Sequence, residues 1–242
     1  MQAKENLLGY SLESLESFFS KINEPKFRAK QLLKWIHQKG VLDFNLMTDL
    51  NKDLRAKLNS IAYIKPPIIH EEHVSKEGTI KYLIALESGS MIEMVEIPEK
   101  NRRTLCVSSQ AGCALQCTFC ATGAQGFDQN LDSHEIIGQL WLSNFHRKYN
   151  QPITNIVFMG MGEPLLNFDA VIESAKIMKH QLAYGLSRKR ITISTSGIVP
   201  NIRKLYDEID VSLAISLHAP DDNLRDEIVP INNKYPIDSY YL

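Results

Sequence analysis

A chain of 242 residues, 44% hydrophobic and 23% charged, holds enough apolar material for one large domain or a domain with an appendage. Its net charge of −1 argues against wholesale coating of nucleic acid and leaves room for a local basic patch. No apolar run is long enough to span a bilayer, and no basic start with an apolar stretch behind it reads as a signal peptide. All four cysteines fall between Cys106 and Cys120, which reads as a site in a reducing cytoplasm and not as a disulfide framework.

Residues 10–62 read as helical. Leu12, Leu15, Phe18, Phe19 and Ile22 recur at helical spacing behind the capping candidate Ser11, and Asn23-Glu24-Pro25 ends that run. Phe27, Leu32, Trp35 and Ile36 mark a second amphipathic helix with Gly40 as its stop; a third runs from about Asn51 to Ile61. Residues 1–63 carry ten Lys/Arg against seven Asp/Glu. That excess fits either a solvated helix face or an accessory domain that contacts phosphates.

Ile64-Lys65-Pro66-Pro67 reads as a linker. Strand-like runs follow at Ile68–Val74, Ile80–Glu87 and Met91–Ile97, parted by turns, and a small antiparallel sheet accounts for them. In the third run Glu93 and Val95 share one face while Met94 and Glu96 share the other, so one glutamate can point inward. From Thr104 onward strands and helices alternate: strands at Leu105–Ser108, Ile153–Met159, Arg190–Ser194 and Val211–Leu217, helices at Ser133–Tyr149, Phe168–Gln181 and Val199–Tyr206. This rhythm predicts parallel strands with outside helices, whose functional residues gather at the C-terminal strand ends. The chain thus divides into a helical region 1–63, a β extension 64–100 and an α/β core 101–242.

Four strand ends carry unusual chemistry. Cys113, Cys117 and Cys120 stand at CxxxCxxC spacing with no fourth cysteine close behind. Three thiolates suit a four-iron cluster with one iron open to a non-protein ligand such as S-adenosylmethionine (SAM); a structural zinc site and simple core packing are the alternatives. Gly160-Met161-Gly162-Glu163-Pro164 places two glycines at a strand end, where backbone can approach a ligand; its plain alternative is a tight turn with a solvated glutamate. Ser194-Thr195-Ser196-Gly197 offers hydroxyls to a ribose or carboxylate, or else a helix cap. Ser216-Leu217-His218 ends the last strand with a histidine that is either structural or a ligand contact. Cys106, outside the motif, reads as core packing or as a redox or nucleophilic thiol.

With these strings assembled, the chain resembles the RlmN family of radical SAM methyltransferases, which methylate carbon 2 of adenine in 23S ribosomal RNA and certain tRNAs. Leu105–Cys113, the CxxxCxxC, Gln125-Gly126-Phe127, Phe158–Asn167, Ile193–Gly197 and Ser216–Ala219 carry the likeness, which covers nearly the whole chain. The Gln125-Gly126-Phe127 region looks like the carbon-2 group and not the sister group that acts on carbon 8. The resemblance implies a partial (β/α) radical SAM barrel, incomplete at its C-terminus, behind a helical RNA-binding domain and a short antiparallel β extension. It implies a 4Fe–4S cluster on Cys113, Cys117 and Cys120, and SAM contacts at Gly162, Glu163, Ser194, Ser216, Leu217 and His218. Glu93 matches the family's proposed proton acceptor, and Cys106 the cysteine thought to resolve an RNA–protein crosslink through a transient disulfide. A flavodoxin or ferredoxin as electron donor and a cytoplasmic monomer are the further expectations.

The chemistry is consistent with that likeness. The amidine carbon of adenine is electrophilic, so ordinary SAM methylation, which needs a nucleophile, cannot work there. The family instead passes a methyl group to a cysteine thiolate and activates it with a 5′-deoxyadenosyl radical. That cysteine lies near the C-terminus of full-length relatives, whereas here no cysteine follows Cys120. The expectation is a C-terminally shortened member in which the cluster site assembles but methyl transfer does not finish; a non-catalytic RNA-binding remnant is the rival.

Overall fold

The structure, a computed structural model, describes residues 4–146 and 151–240. In chain order it contains β1 (Glu5–Asn6), α1 (Leu12–Lys21), α2 (Phe27–His37), α3 (Lys52–Ile61), β2 (Ala62–Tyr63), β3 (Ile68–Val74), β4 (Ile80–Ala85), β5 (Met91–Glu99) and β6 (Arg102–Cys106). There follow β7 (Gln110–Gly112), α4 (Ala121–Ala124), β8 (Phe127–Asn130), α5 (Ser133–Phe145), β9 (Asn155–Phe158), α6 (Phe168–Lys179), β10 (Ile191–Thr195), α7 (Val199–Glu208), β11 (Ser212–Ile215) and α8 (Asp222–Ile228).

A seven-stranded sheet in the order β11-β10-β9-β6-β5-β4-β3 forms the centre. Its β6, β9, β10 and β11 are parallel, and β3, β4 and β5 continue it antiparallel through β5–β6. The small sheet expected from residues 68–97 is therefore an extension of the parallel one. Ile156, Phe158, Ile191 and Ile193 are wholly or almost wholly buried on one face, as the period of two requires.

Sandwiched between this sheet and the N-terminal helices, α5 is buried nearly all round, unlike a one-sided surface helix. The indole N–H of Trp141 donates to the Ile36 carbonyl at 3.0 Å, and a Cβ on Gly138 would strike Pro67. His37 Nδ1 meets the Tyr184 hydroxyl at 3.1 Å, and the Ser11 N–H donates to Glu173 at 2.8 Å. One apolar cluster runs from Leu7 to Val211, so the helical region and the sheet share a core. Ser11 and Asn51 cap α1 and α3 with side-chain oxygens, as their sequences indicate.

Helix α5 differs in detail from its expected course. The residue before its expected start, Asp132, is its cap, and Glu135 reaches back to accept the Asp132 N–H at 2.9 Å. Its expected end at Tyr149 lies outside the described residues. Glu96, not Glu93, points inward: it is 1% exposed and pairs with buried Arg103, one strand away on β6. Glu93 faces outward in an exposed pair with Lys81 at 2.9 Å.

Candidate active site

Parallel strands leave all their C-terminal ends on one edge of the sheet, and the four loops with unusual chemistry meet there. Backbone hydrogen bonds carry the ladder beyond the strands. Val107 N–H donates to Val157 O at 3.0 Å, Gly160 N–H to Val107 O at 3.1 Å, and Ser109 and Gln110 N–H to Met161 O at 2.9 and 3.2 Å. Buried Gln139 on α5 completes the exit from β6. Its side-chain oxygen accepts the Ser108 N–H and its nitrogen donates to the Ser108 carbonyl, each at 2.9 Å. Beyond it β7 and β8 pair as a two-stranded antiparallel ribbon around the cysteine loop, which the strand periodicity did not announce.

A cavity of about 430 Å³ lies over these strand ends, within the roughly 300–1,000 Å³ usual for small-molecule sites. Cys113, Cys117 and Cys120 line it. Gly162 and Glu163 line it from the loop after β9, as do Ser194, Ser216 and His218 from the ends of β10 and β11. Leu217 is 43% exposed beside it but is not part of the lining. Glu93 and Cys106 do not line it either. Glu93 is nevertheless tied to the rim, since its carbonyl accepts the Ser108 hydroxyl at 2.5 Å and Ser108 Oγ accepts the Met161 N–H at 2.8 Å.

Burial pushes the Cys113 and Cys117 thiols up from their ordinary pKa, and for Cys117 the neighbouring Cys113 and Cys120 sulfurs add to the shift. Burial raises Cys106 as well. Among the described residues no three His, Cys, Asp or Glu side chains converge closely enough to hold a metal ion. The thiols are neighbours around a cavity, an arrangement unlike a closed structural zinc site.

Glu163 is 3% exposed, and its carboxylate is committed to backbone. It accepts the Leu165 N–H at 3.0 Å and the Ser196 N–H at 2.8 Å, bridging the loops after β9 and β10. Burial raises its pKa while those two N–H groups oppose the shift. The solvated-glutamate alternative therefore fails. Gly162 has φ +95, and a Cβ there would lie 2.4 Å from Gln110 Cβ, so the turn needs glycine. Gln110 in turn accepts the Glu163 N–H at 2.8 Å. At Ser194–Gly197, Thr195 Oγ1 accepts the Gly197 N–H at 3.0 Å within the turn and does not cap α7, while the Ser194 and Ser216 hydroxyls meet at 3.1 Å at the cavity wall.

Sequence reasoning missed part of the lining. Phe119 lies against His218 in a tilted contact with ring centroids 4.5 Å apart, and Met159 forms another apolar portion of the wall. The aromatic between two motif cysteines was the available signal for Phe119.

The family model for the radical SAM superfamily matches residues 107–239, more than half the chain. The chain belongs to the radical SAM superfamily. The model for the ribosomal RNA large subunit methyltransferase N-terminal domain matches residues 5–64. Among solved structures, a radical SAM methyltransferase from Sphaerobacter thermophilus is similar at TM-score 0.88 and 39% identity, covering 97% of this chain and 70% of that one. The dual-specificity RNA methyltransferases RlmN of Pseudomonas putida and Pseudomonas entomophila are each 55% identical over 239 residues. Those alignments cover 97% of this chain and 63% of each relative. It is thus a radical SAM protein similar to the RlmN methyltransferases, spanning somewhat under two thirds of the length of these curated relatives. Among the described residues no helix is long and apolar enough to cross a membrane.

Proposed function

We propose that this radical SAM protein serves methylation of carbon 2 of adenine in 23S rRNA and tRNA, with its 242 residues supplying the cluster- and SAM-binding part of the machinery. The observation that carries the reading is that Cys113, Cys117 and Cys120 line one cavity together with Gly162, Glu163, Ser194 and Ser216. Three thiols without a fourth ligand fit a four-iron cluster with one open iron better than a zinc ion, which needs four ligands at bonding distance. When bound, the cluster and SAM supply the one-electron chemistry that an electrophilic amidine carbon demands.

The chain's own residues bind and orient. Cys113, Cys117 and Cys120 hold the cluster. Exposed backbone at Gly162 together with Ser194, Ser216, Leu217 and His218 receive SAM, and Glu163 fixes the two loops that do so. Glu93 is the proton acceptor, and Cys106 is the thiol that resolves the RNA adduct. Residues 1–63 form the RNA-binding region, 64–100 the β extension and 101–242 the radical SAM core. The setting is the cytoplasm, with flavodoxin or ferredoxin as electron donor and a monomeric protein. RNA enters as an unpaired adenine, because chemistry on a base requires it unstacked.

The test is anaerobic reconstitution with iron and sulfide, then reduction by dithionite with SAM present, followed by chromatography for 5′-deoxyadenosine. The expected result is 5′-deoxyadenosine from the wild type and none from Cys117→Ala. No product from the reconstituted wild type would overturn the reading.

A further inference from the structure

Arg225 is the largest fully buried side chain of the protein, with 0% of its surface exposed. An unpaired guanidinium in such a place would be costly, and among the described residues no carboxylate hydrogen-bonds to this one. It is satisfied by three backbone carbonyls and two neutral side-chain oxygens. Nε donates to the Leu217 carbonyl at 2.8 Å, and Nη2 to the Ser196 carbonyl at 2.7 Å and the Ser216 carbonyl at 3.2 Å. Nη1 donates to Asn232 Oδ1 at 2.5 Å and to the Tyr240 hydroxyl at 2.8 Å. Asn232 passes the charge on, since its amide nitrogen donates to Asp222 at 2.8 Å and to Asp226 at 2.7 Å.

The three carbonyls belong to the loops that follow β10 and β11. Ser216 lines the cavity, Leu217 and His218 continue from it, and Ser196 also presents the N–H that Glu163 accepts. His218 sits at φ +62, a left-handed conformation that costs a non-glycine residue and persists only where its surroundings hold it. The Leu217 carbonyl next to it accepts both Arg225 Nε and the Ala219 N–H. Helix α8, which carries Arg225, also reaches the cysteine loop: the Thr118 N–H donates to the Ile228 carbonyl at 3.1 Å. Tyr240 closes the arrangement against Gly197, at φ +114, where a Cβ would lie 2.1 Å from the tyrosine oxygen.

We infer that Arg225 is the positioning residue of the SAM site. Its planar fork fixes the strand ends after β10 and β11 relative to each other, and α8 ties that pair to the loop that bears Cys117 and Cys120. A lysine, with three donors on a compact ammonium, cannot satisfy the same spread of acceptors. The inference rests on the reading of this cavity as the SAM site. It adds a residue that touches neither SAM nor cluster yet sets the affinity of one for the other.

The experiment uses the full chain, reconstituted anaerobically, as wild type, Arg225→Gln, Arg225→Lys and Tyr240→Phe. Three quantities are read on each: the EPR signal of the reduced protein without SAM, the Kd for labelled SAM by equilibrium dialysis, and the thermal midpoint. Arg225→Gln is expected to keep the SAM-free signal while weakening SAM about tenfold or more, the size of a lost hydrogen bond to a charged group. Arg225→Lys is expected to recover part of that loss, and Tyr240→Phe, which spares all three carbonyl contacts, to shift the Kd by less than about threefold. A folded Arg225→Gln with wild-type Kd would overturn the inference. Should Arg225→Gln fail to fold, a wild-type Kd in Arg225→Lys would do the same. A wild type that holds its cluster but does not bind SAM would overturn the reading of the cavity, and the inference with it. Normal SAM binding by the wild type with unaltered variants would overturn the inference alone.

Discussion

The two halves of the central sheet, each with the loops and helices packed on it, treat their charged and polar side chains in opposite ways. In the antiparallel half, neighbouring strand ends alternate between the two edges, so no edge collects loops. Polar groups there pair across strands, Glu93 with Lys81 in the open and Glu96 with Arg103 in the core. In the parallel half every strand ends on the same edge. Its polar groups are spent on backbone: Glu163 on two N–H groups, Gln139 on one residue's N–H and C=O, Arg225 on three carbonyls. The lesson is that one half is stabilised by side-chain pairs, and the other uses side chains to hold loops in fixed positions around a cavity.

That contrast can be broken at several points, beginning with the deepest pair. Glu96→Ala removes the buried carboxylate that pairs with Arg103 and should cost about 3–5 kcal/mol in urea denaturation. A loss below about 1 kcal/mol would mean the pair is not buried in solution. Gln139→Leu removes both partners of the Ser108 backbone and should cost roughly 2–6 kcal/mol, at 1–3 kcal/mol for each of the two buried groups left unsatisfied. Glu163→Ala strands two N–H groups and should cost about 1–3 kcal/mol, with Glu163→Gln recovering part of it. If Glu163→Ala were neutral, the carboxylate would be free for a ligand and the division between the halves would fall.

His37 sharpens the comparison from outside the sheet. Burial against Tyr184 lowers its pKa from 6.5 to about 3, so the folded state keeps it neutral while the unfolded chain takes up a proton below pH 6.5. Its contribution is fully present above pH 6.5 and is lost as pH falls toward 3, at about 1.4 kcal/mol per pH unit. His37→Phe should flatten that stretch of the acid limb; an unchanged slope would assign acid lability to other groups. The smallest effect belongs to Lys81→Ala, which opens only an exposed pair and should change stability by about 0–1 kcal/mol, less at high salt.

Much of this was legible in the sequence, and the rest was not for identifiable reasons. The helices announced themselves because Leu12, Leu15, Phe18 and Phe19 share one face, and the strands because apolar positions alternate. The chemistry at strand ends was legible because parallel topology sends loops to one edge, so the thiols, glycines and hydroxyls could be grouped before any coordinates. The choice between Glu93 and Glu96 was not, since a period of two places them on opposite faces and says nothing about which is inside. Arg103, on the next strand, decides it. Arg225 was the least legible of all. It stands on a short helix among Asp221, Asp222, Asp226 and Glu227 and reads as part of a solvated face. Its burial depends on carbonyls from two distant loops that no local pattern records.

The central claim is that the rim of the parallel half holds an iron–sulfur cluster open to SAM. EPR of the anaerobically reconstituted, reduced protein, recorded with and without SAM, tests it most directly. The account predicts a 4Fe–4S signal that changes when SAM is added and is absent in Cys117→Ala. A signal indifferent to SAM, or no cluster at all in the reconstituted wild type, would contradict it.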